Sequence, residues 1–175
     1  IQGDVGSGKT IVCLLTIANV IESNYQCALM APTEILAKQH YELAKKVFKN
    51  TNFKIDFLTG KTEFKNKKII LKNLKNGKIN FLIGTHALFQ KKIDFNKLGL
   101  VVIDEQHKFG VSQRSALAKK GGDNCDVLLM SATPIPRTMM MSLYGDMDIS
   151  KITEKPAIRK NIITLSKPEK KIYEL

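Results

Sequence analysis

Cysteine is scarce and unpatterned: only Cys13, Cys27 and Cys125 occur in 175 residues, an odd number without CxxC spacing. That excludes a disulfide framework and a cysteine-based metal site, and each cysteine sits in an apolar stretch that suits a reduced core residue of a cytoplasmic protein. No apolar run approaches the roughly 20 residues needed to cross a bilayer, which excludes a membrane-spanning helix. No signal peptide is visible, but the chain starts with Ile1 rather than Met, so this decides nothing. Arginine is nearly missing: Arg114, Arg137 and Arg159 are the only ones among 28 basic residues. Acidic residues are also few, 16 in all, leaving a net charge of +12. Such an excess suits a polyanion, most often nucleic acid. Because lysine carries nearly all of it, alongside abundant isoleucine and asparagine, a solvated lysine-rich surface suits it equally well. There is no internal repeat.

What is present is globular: 43% hydrophobic and 25% charged, with a length that suits one domain and its own core. Gly3-Asp4-Val5-Gly6-Ser7-Gly8-Lys9-Thr10 stands almost at the first residue. It is the phosphate-loop spacing, in which glycines let successive backbone N–H groups turn inward around phosphate oxygens. Lys9 can reach the β and γ phosphates of ATP, and the Thr10 hydroxyl can hold Mg²⁺. The helix that follows adds the positive end of its dipole. A phosphate loop normally hangs from a buried strand. Here only Ile1 and Gln2 precede it, so the sequence reads as a piece of a longer protein with its first strand truncated.

Short apolar runs alternate with helical patterns along the rest of the chain. The periodicity predicts a helix over 9–22, with Ile11, Leu14, Leu15 and Ala18 on its inner face. A buried strand over 27–30 ends at Pro32, and a helix over 34–49 carries Leu36, His40, Leu43, Ala44 and Val47 on one side, N-capped by Thr33. Further strands are expected over 54–58, 79–83, 98–103, 127–130 and 148–152, with helices over 66–74, 113–119 and 137–143 and a loop over 121–124. This alternation implies an α/β fold, a mostly parallel sheet covered by helices on both faces. Ligands of such sheets bind beyond the carboxyl ends of the strands, and every motif falls at such an end. His40 reads as a core or boundary histidine, and Met139-Met140-Met141 as helix packing.

Two adjacent carboxylates close the run Leu100-Val101-Val102-Ile103. Asp104 would bind Mg²⁺ across from Thr10, at a neighbouring strand end, and Glu105 would polarise the water that attacks the γ phosphate. Ser131 and Thr133 end the next strand, where their hydroxyls could bond the carboxylates and sense the γ phosphate. Thr33, Thr85 and His86 end two others and could grip nucleic-acid phosphates without reading sequence.

Taken in order, residues 3–10, Ala31-Pro-Thr-Glu-Ile-Leu-Ala, Gly84-Thr-His-Ala-Leu, Asp104-Glu-Gln-His and Ser131-Ala-Thr-Pro-Ile-Pro-Arg-Thr resemble motifs I, Ia, Ib, II and III of the superfamily 2 helicases. Gln2-to-Thr10, the Asp-Glu-Gln-His box with Phe109-Gly110-Val111, and Tyr144-Gly-Asp-Met-Asp are similar to the RecG family of bacterial ATP-dependent DNA helicases, which remodel replication forks and Holliday junctions in repair and recombination. The resemblance implies a RecA-like P-loop domain over 1–150, the first of two motor lobes, and a linker over 151–175 toward a second. It implies ATP and Mg²⁺ as ligands, branched or duplex DNA as partner, and a cytoplasmic monomer. By it, Lys9, Asp104 and Glu105 are catalytic, residues 3–10 bind ATP, Thr10 and Asp104 hold the metal, Gln106, His107, Ser131 and Thr133 couple nucleotide state to DNA, and Thr33, Thr85 and His86 lie on the DNA track. Lys108 departs from the arginine expected there, losing any bidentate contact. The resemblance also places a wedge domain before Ile1 and an arginine finger after Leu175, so these residues alone are expected to hydrolyse ATP poorly. The nearest rival is the motor lobe of a transcription-repair coupling factor, whose box is typically Asp-Glu-Glu; Gln106 favours the RecG family. A nucleotide-binding fragment without catalysis is the alternative from a different class.

Overall fold

The computed structural model describes residues 1–90, 92–105, 120, 125–133 and 148–154. The helices expected over 113–119 and 137–143, the loop at 121–124, the methionine triplet, Gln106, His107 and most of the expected linker lie outside the described residues.

Among the described residues, seven strands and three helices follow one another as β1 (Gln2–Gly3), α1 (Lys9–Glu22), β2 (Gln26–Met30), α2 (Glu34–Val47), β3 (Ile55–Leu58), α3 (Phe64–Lys75), β4 (Phe81–Gly84), β5 (Leu98–Asp104), β6 (Asp126–Met130) and β7 (Lys151–Ile152), with a 3₁₀ turn over His86–Phe89. Five strands pair side by side, all parallel, in the order β3-β4-β2-β5-β6. β1 and β7 form a second parallel pair. A bridge between Gln2 and Ser131, with Ser131 N–H donating to the Ile1 carbonyl at 3.1 Å, seats that pair beside the tip of β6. The spatial sequence is therefore β3-β4-β2-β5-β6-β1-β7. Lys151 and Ile152, the first residues of the expected linker, are strand residues here.

Successive strand residues point to opposite faces, and the core is accordingly double. Cys27, Leu29, Phe81, Ile83, Leu100, Val102 and Met130 pack under α1 and α2. Ala28, Met30, Leu82, Val101, Ile103 and Leu129 pack under α3 and the segment with Leu88 and Ile93. With β2 and β5 buried on both sides, residues 27–30 and 98–103 are continuous apolar runs. Each large apolar side chain so buried contributes about 1.5–3 kcal/mol.

One helix turns out rotated from its expected setting. α1 buries Cys13, Leu14, Ile17 and Ile21, while Ile11 and Leu15 are exposed. Apolar residues occupy nearly every position from 11 to 15, so periodicity could not choose the inner stripe; packing over β2 and β5 does. In α2, Ala37, His40 and Ala44 are buried, Leu36 and Leu43 are half-covered, and Val47 is exposed. The Thr33 hydroxyl caps α2 as expected, accepting from Leu36 N–H at 3.3 Å. Gly77, at φ 70°, supplies the left-handed turn after α3.

Candidate nucleotide and nucleic-acid site

The described residues of motifs I, Ia, Ib, II and III lie along one edge of the sheet, the carboxyl ends of the strands. The spatial order divides that edge in two. β5, β6 and β1 end in Asp104, Ser131 and the phosphate loop; β2, β4 and β3 end in Thr33, Thr85 and the Thr59–Thr62 turn.

The loop between β1 and α1 is built for an anion. Gly6 and Gly8 adopt φ 82° and 94°, conformations that side chains resist. Gly8 leads into α1 with no side-chain cap, so the first amides of the helix are not closed off by one. A Cβ at Gly8 would meet no described atom within 4 Å, so the positive φ rather than crowding is what calls for glycine there. Ser7 Oγ is buried and has no hydrogen-bond partner among the described residues. A buried polar group is normally paired, and a phosphate oxygen would satisfy this one. Lys9 turns its ammonium back into the loop, donating to the Gly3 carbonyl at 2.7 Å and the Asp4 carbonyl at 2.8 Å. These residues fit a polyphosphate.

Asp104 shares the inward parity of Leu100 and Val102, which sets it beneath α1 and α2, only 9% exposed. Its Oδ1 accepts from Glu105 N–H at 2.9 Å. Its Oδ2 lies 2.7 Å from His40 Nε2 on α2. An ionised carboxylate only accepts, so the imidazole proton of that bond sits on Nε2. Glu105 stands at φ 48°, strained for a residue with a side chain. Cys13, one turn past Thr10, feels the Asp104 charge: burial first, and then that carboxylate, push its thiol up to about 12. The loop helix and the carboxylate therefore share one environment.

Their strands are not neighbours, however. β6 intervenes, pairing Asp104 with Met130 on one side and reaching Gln2 through Ser131 on the other. Two strand spacings put about 10 Å between the β5 and β1 backbones. Adjacent strand ends would have left no such gap for a phosphate with its metal. Ser131 and Thr133 occupy the tip of β6, but their hydroxyls bond each other at 3.1 Å rather than the carboxylates. Ser131 Oγ also accepts from Thr133 N–H at 3.2 Å.

On the other half of the edge, Thr33 and His86 are exposed, whereas Thr85 is buried. Thr85 Oγ1 has no hydrogen-bond partner among the described residues. Glu34 links these loops: the Lys61 ammonium, 3.0 Å away, holds its carboxyl below the usual range, and the Thr59 hydroxyl and His86 act in the same direction. Thr33, Thr85 and His86 are thus brought to one place, and Thr59 and Lys61 join them. Sequence reasoning singled out neither Thr59 nor Lys61. It also missed the partner of His40; the signal was a histidine on an otherwise apolar helix face with a carboxylate ending the neighbouring strand.

Residues 1–142 match the family model described as DEAD/DEAH box helicase. An ATP-dependent DNA helicase RecG of Aquifex aeolicus is 53% identical over 165 residues, covering 94% of this chain and 21% of the relative. That of Thermotoga maritima is 48% identical over 175 residues, covering all of this chain and 22% of the relative. The chain thus spans about a fifth of the length of these relatives. Among solved structures, RecG bound to a three-way DNA junction superposes with a TM-score of 0.83 at 43% identity, covering 99% of this chain and 23% of that one. Yeast Dbp5 shares the fold at 20% identity, with a TM-score of 0.66.

Proposed function

Because this chain belongs to the DEAD/DEAH box helicase family, we propose that it is the ATP-binding lobe of a RecG-type DNA motor, acting on branched DNA. The relatives' names favour this over the coupling-factor reading. The single observation that carries the nucleotide assignment is the spacing of the edge: a glycine-bent loop with an orphaned Ser7 hydroxyl on one side, Asp104 on the other, and the width of β6 between.

In this reading the amides from Gly6 to Thr10 enclose the phosphates, and Lys9 leaves the Gly3 and Asp4 carbonyls for the β and γ oxygens. Thr10 and Asp104 hold Mg²⁺, which when bound neutralises charge developing on the phosphoryl oxygens. Glu105 orients the attacking water. Positioning matters more here than basicity, since phosphoryl transfer leaves the protein little covalent work. The Ser131–Thr133 pair, between the two jaws, registers the γ phosphate, with Gln106 and His107 following Glu105 in the chain. Thr33, His86 and Lys61 hold DNA phosphates on the adjoining half-edge.

Titration with a fluorescent ATP analogue tests the reading. Wild type is expected to bind in a Mg²⁺-dependent way, and Lys9→Ala to lose at least about tenfold in affinity, the loss of a charge-assisted contact. Equal binding by both proteins would refute the assignment.

A further inference from the structure

The nucleotide and nucleic-acid halves of the edge meet between β5 and β2, and one helix bridges that boundary. α2 is N-capped by Thr33, on the nucleic-acid side. Seven residues on, about 10 Å along the helix axis, the same helix carries His40, whose Nε2 is 2.7 Å from Asp104 Oδ2. His40 and Asp104 are both buried, with side chains 10% and 13% exposed. The pair is well anchored from both ends. Asp104 is the last residue of a strand buried throughout, and α2 is fixed over the sheet by Ala37, Ala44 and the Tyr41–Phe57 ring contact.

The chemistry of this contact is directional. With Nε2–H on Oδ2 and the Glu105 amide on Oδ1, rotation of the Asp104 carboxylate about its last torsion is blocked. Each oxygen keeps a second lone pair, and those lone pairs are the ones left to face a cation or its water shell. Partners that orient a metal-holding group commonly set the metal's affinity by 10- to 100-fold. A histidine is not needed to fill this space, since a leucine or phenylalanine would bury there without desolvating a polar ring.

We infer that His40 is a positioning residue: it aims the Asp104 carboxylate at Mg²⁺ and, through α2, makes that aim depend on how the Thr33 edge is engaged. This rests on the function proposed above. It gives the Mg²⁺ site a mechanical connection to DNA that is separate from Gln106, His107, Ser131 and Thr133. Because coupling is reciprocal, DNA at Thr33 would alter nucleotide affinity by the same factor as nucleotide alters DNA affinity.

The test uses the intact protein as wild type, His40→Phe, His40→Gln and Lys9→Ala. His40→Phe keeps volume and removes the donor; the Gln amide nitrogen reaches nearly the position of Nε2 and restores it. The readouts are the Mg²⁺ concentration giving half-maximal binding of a fluorescent ATP analogue, with and without duplex DNA, and the melting temperature of each protein. We expect His40→Phe to need about tenfold more Mg²⁺ and to lose most of the DNA-dependent shift. His40→Gln should stay within about threefold of wild type, as expected for one neutral donor replacing another. If His40→Phe does not fold, His40→Leu replaces it with the same expectation. Wild-type Mg²⁺ dependence in the donor-less variant overturns the inference, and so does a loss in His40→Gln as large as in His40→Phe, which would mean that ring packing is what matters. Failure of the underlying reading looks different: wild type and Lys9→Ala would then bind nucleotide alike.

Discussion

At the scale of single residues, the molecule tolerates misfits where the site needs them and elsewhere only at modest cost. Glu105 is held in a left-handed conformation and the Ser7 hydroxyl has no partner among the described residues, both at the proposed nucleotide edge. Asp56 is a misfit far from it, at the second position of β3. Burial lifts its carboxyl above the ordinary value of 3.8, partly offset by the Phe57 amide bonding it at 2.8 Å. A folded-state value raised in this way means that the folded chain holds the proton more tightly than the unfolded one. The stability contributed by the site is therefore complete below the ordinary value and is lost as pH rises through the folded one. Asp56→Asn, which keeps the acceptor oxygen, is expected to raise the melting temperature at pH 7, with the gain shrinking as pH falls toward 4. Paired thermal melts at the two pH values check this; a less stable Asn variant at pH 7 would contradict it.

At the scale of elements, the ends of the strands opposite the functional edge are tied by one buried amide. Gln26, which opens β2, donates from Nε2 to the Leu74 carbonyl at 2.9 Å and the Ile79 carbonyl at 2.7 Å. Its Oε1 accepts from Asn96 N–H at 2.7 Å and Lys97 N–H at 3.0 Å. One side chain thus satisfies the end of α3, the lead into β4 and the lead into β5, all of which would otherwise bury unpaired groups. Gln26→Leu is expected to cost about 2–4 kcal/mol, read from the denaturant midpoint. Gln26→Glu, which keeps the acceptor but sets a carboxylate against two carbonyls, should cost no less. A Gln26→Leu protein as stable as wild type would show that water replaces the amide freely. Elements were also where sequence and structure parted. The phosphate loop and the Asp104-Glu105 end were legible because their chemistry resides in contiguous residues. The α1 face was not, because residues 11–15 are apolar almost throughout. The His40–Asp104 bond joins residues 64 apart in sequence, and only α2, packed on β3 and β4, brings His40 to the tip of β5. β1 was expected to be truncated, but that β6 separates it from β5 is a matter of strand order, which local patterns do not encode.

At the scale of the whole molecule, excess lysine and the two-part edge bear on how DNA would be held. The nucleic-acid half offers hydroxyls, His86 and Lys61, groups that suit phosphates rather than base edges. Binding is therefore expected to depend steeply on salt and little on sequence. For two to four phosphates neutralised, affinity for duplex DNA should fall about 10- to 100-fold between 50 and 200 mM salt. Fluorescence anisotropy on two duplexes of unrelated sequence measures both properties. Affinity indifferent to salt would show that the lysines are a solvated surface and nothing more.

The lodging of the Lys9 ammonium on the Gly3 and Asp4 carbonyls gives that side chain partners within its own loop. In the proposed reading, arrival of a triphosphate would be an exchange of partners for that ammonium. Lys9 would then favour ligands whose clustered negative oxygens outweigh two peptide carbonyls. Once released, the carbonyls of Gly3 and Asp4 lose their cation together. Departure of the spent nucleotide would therefore be helped by the loop reclaiming its own side chain.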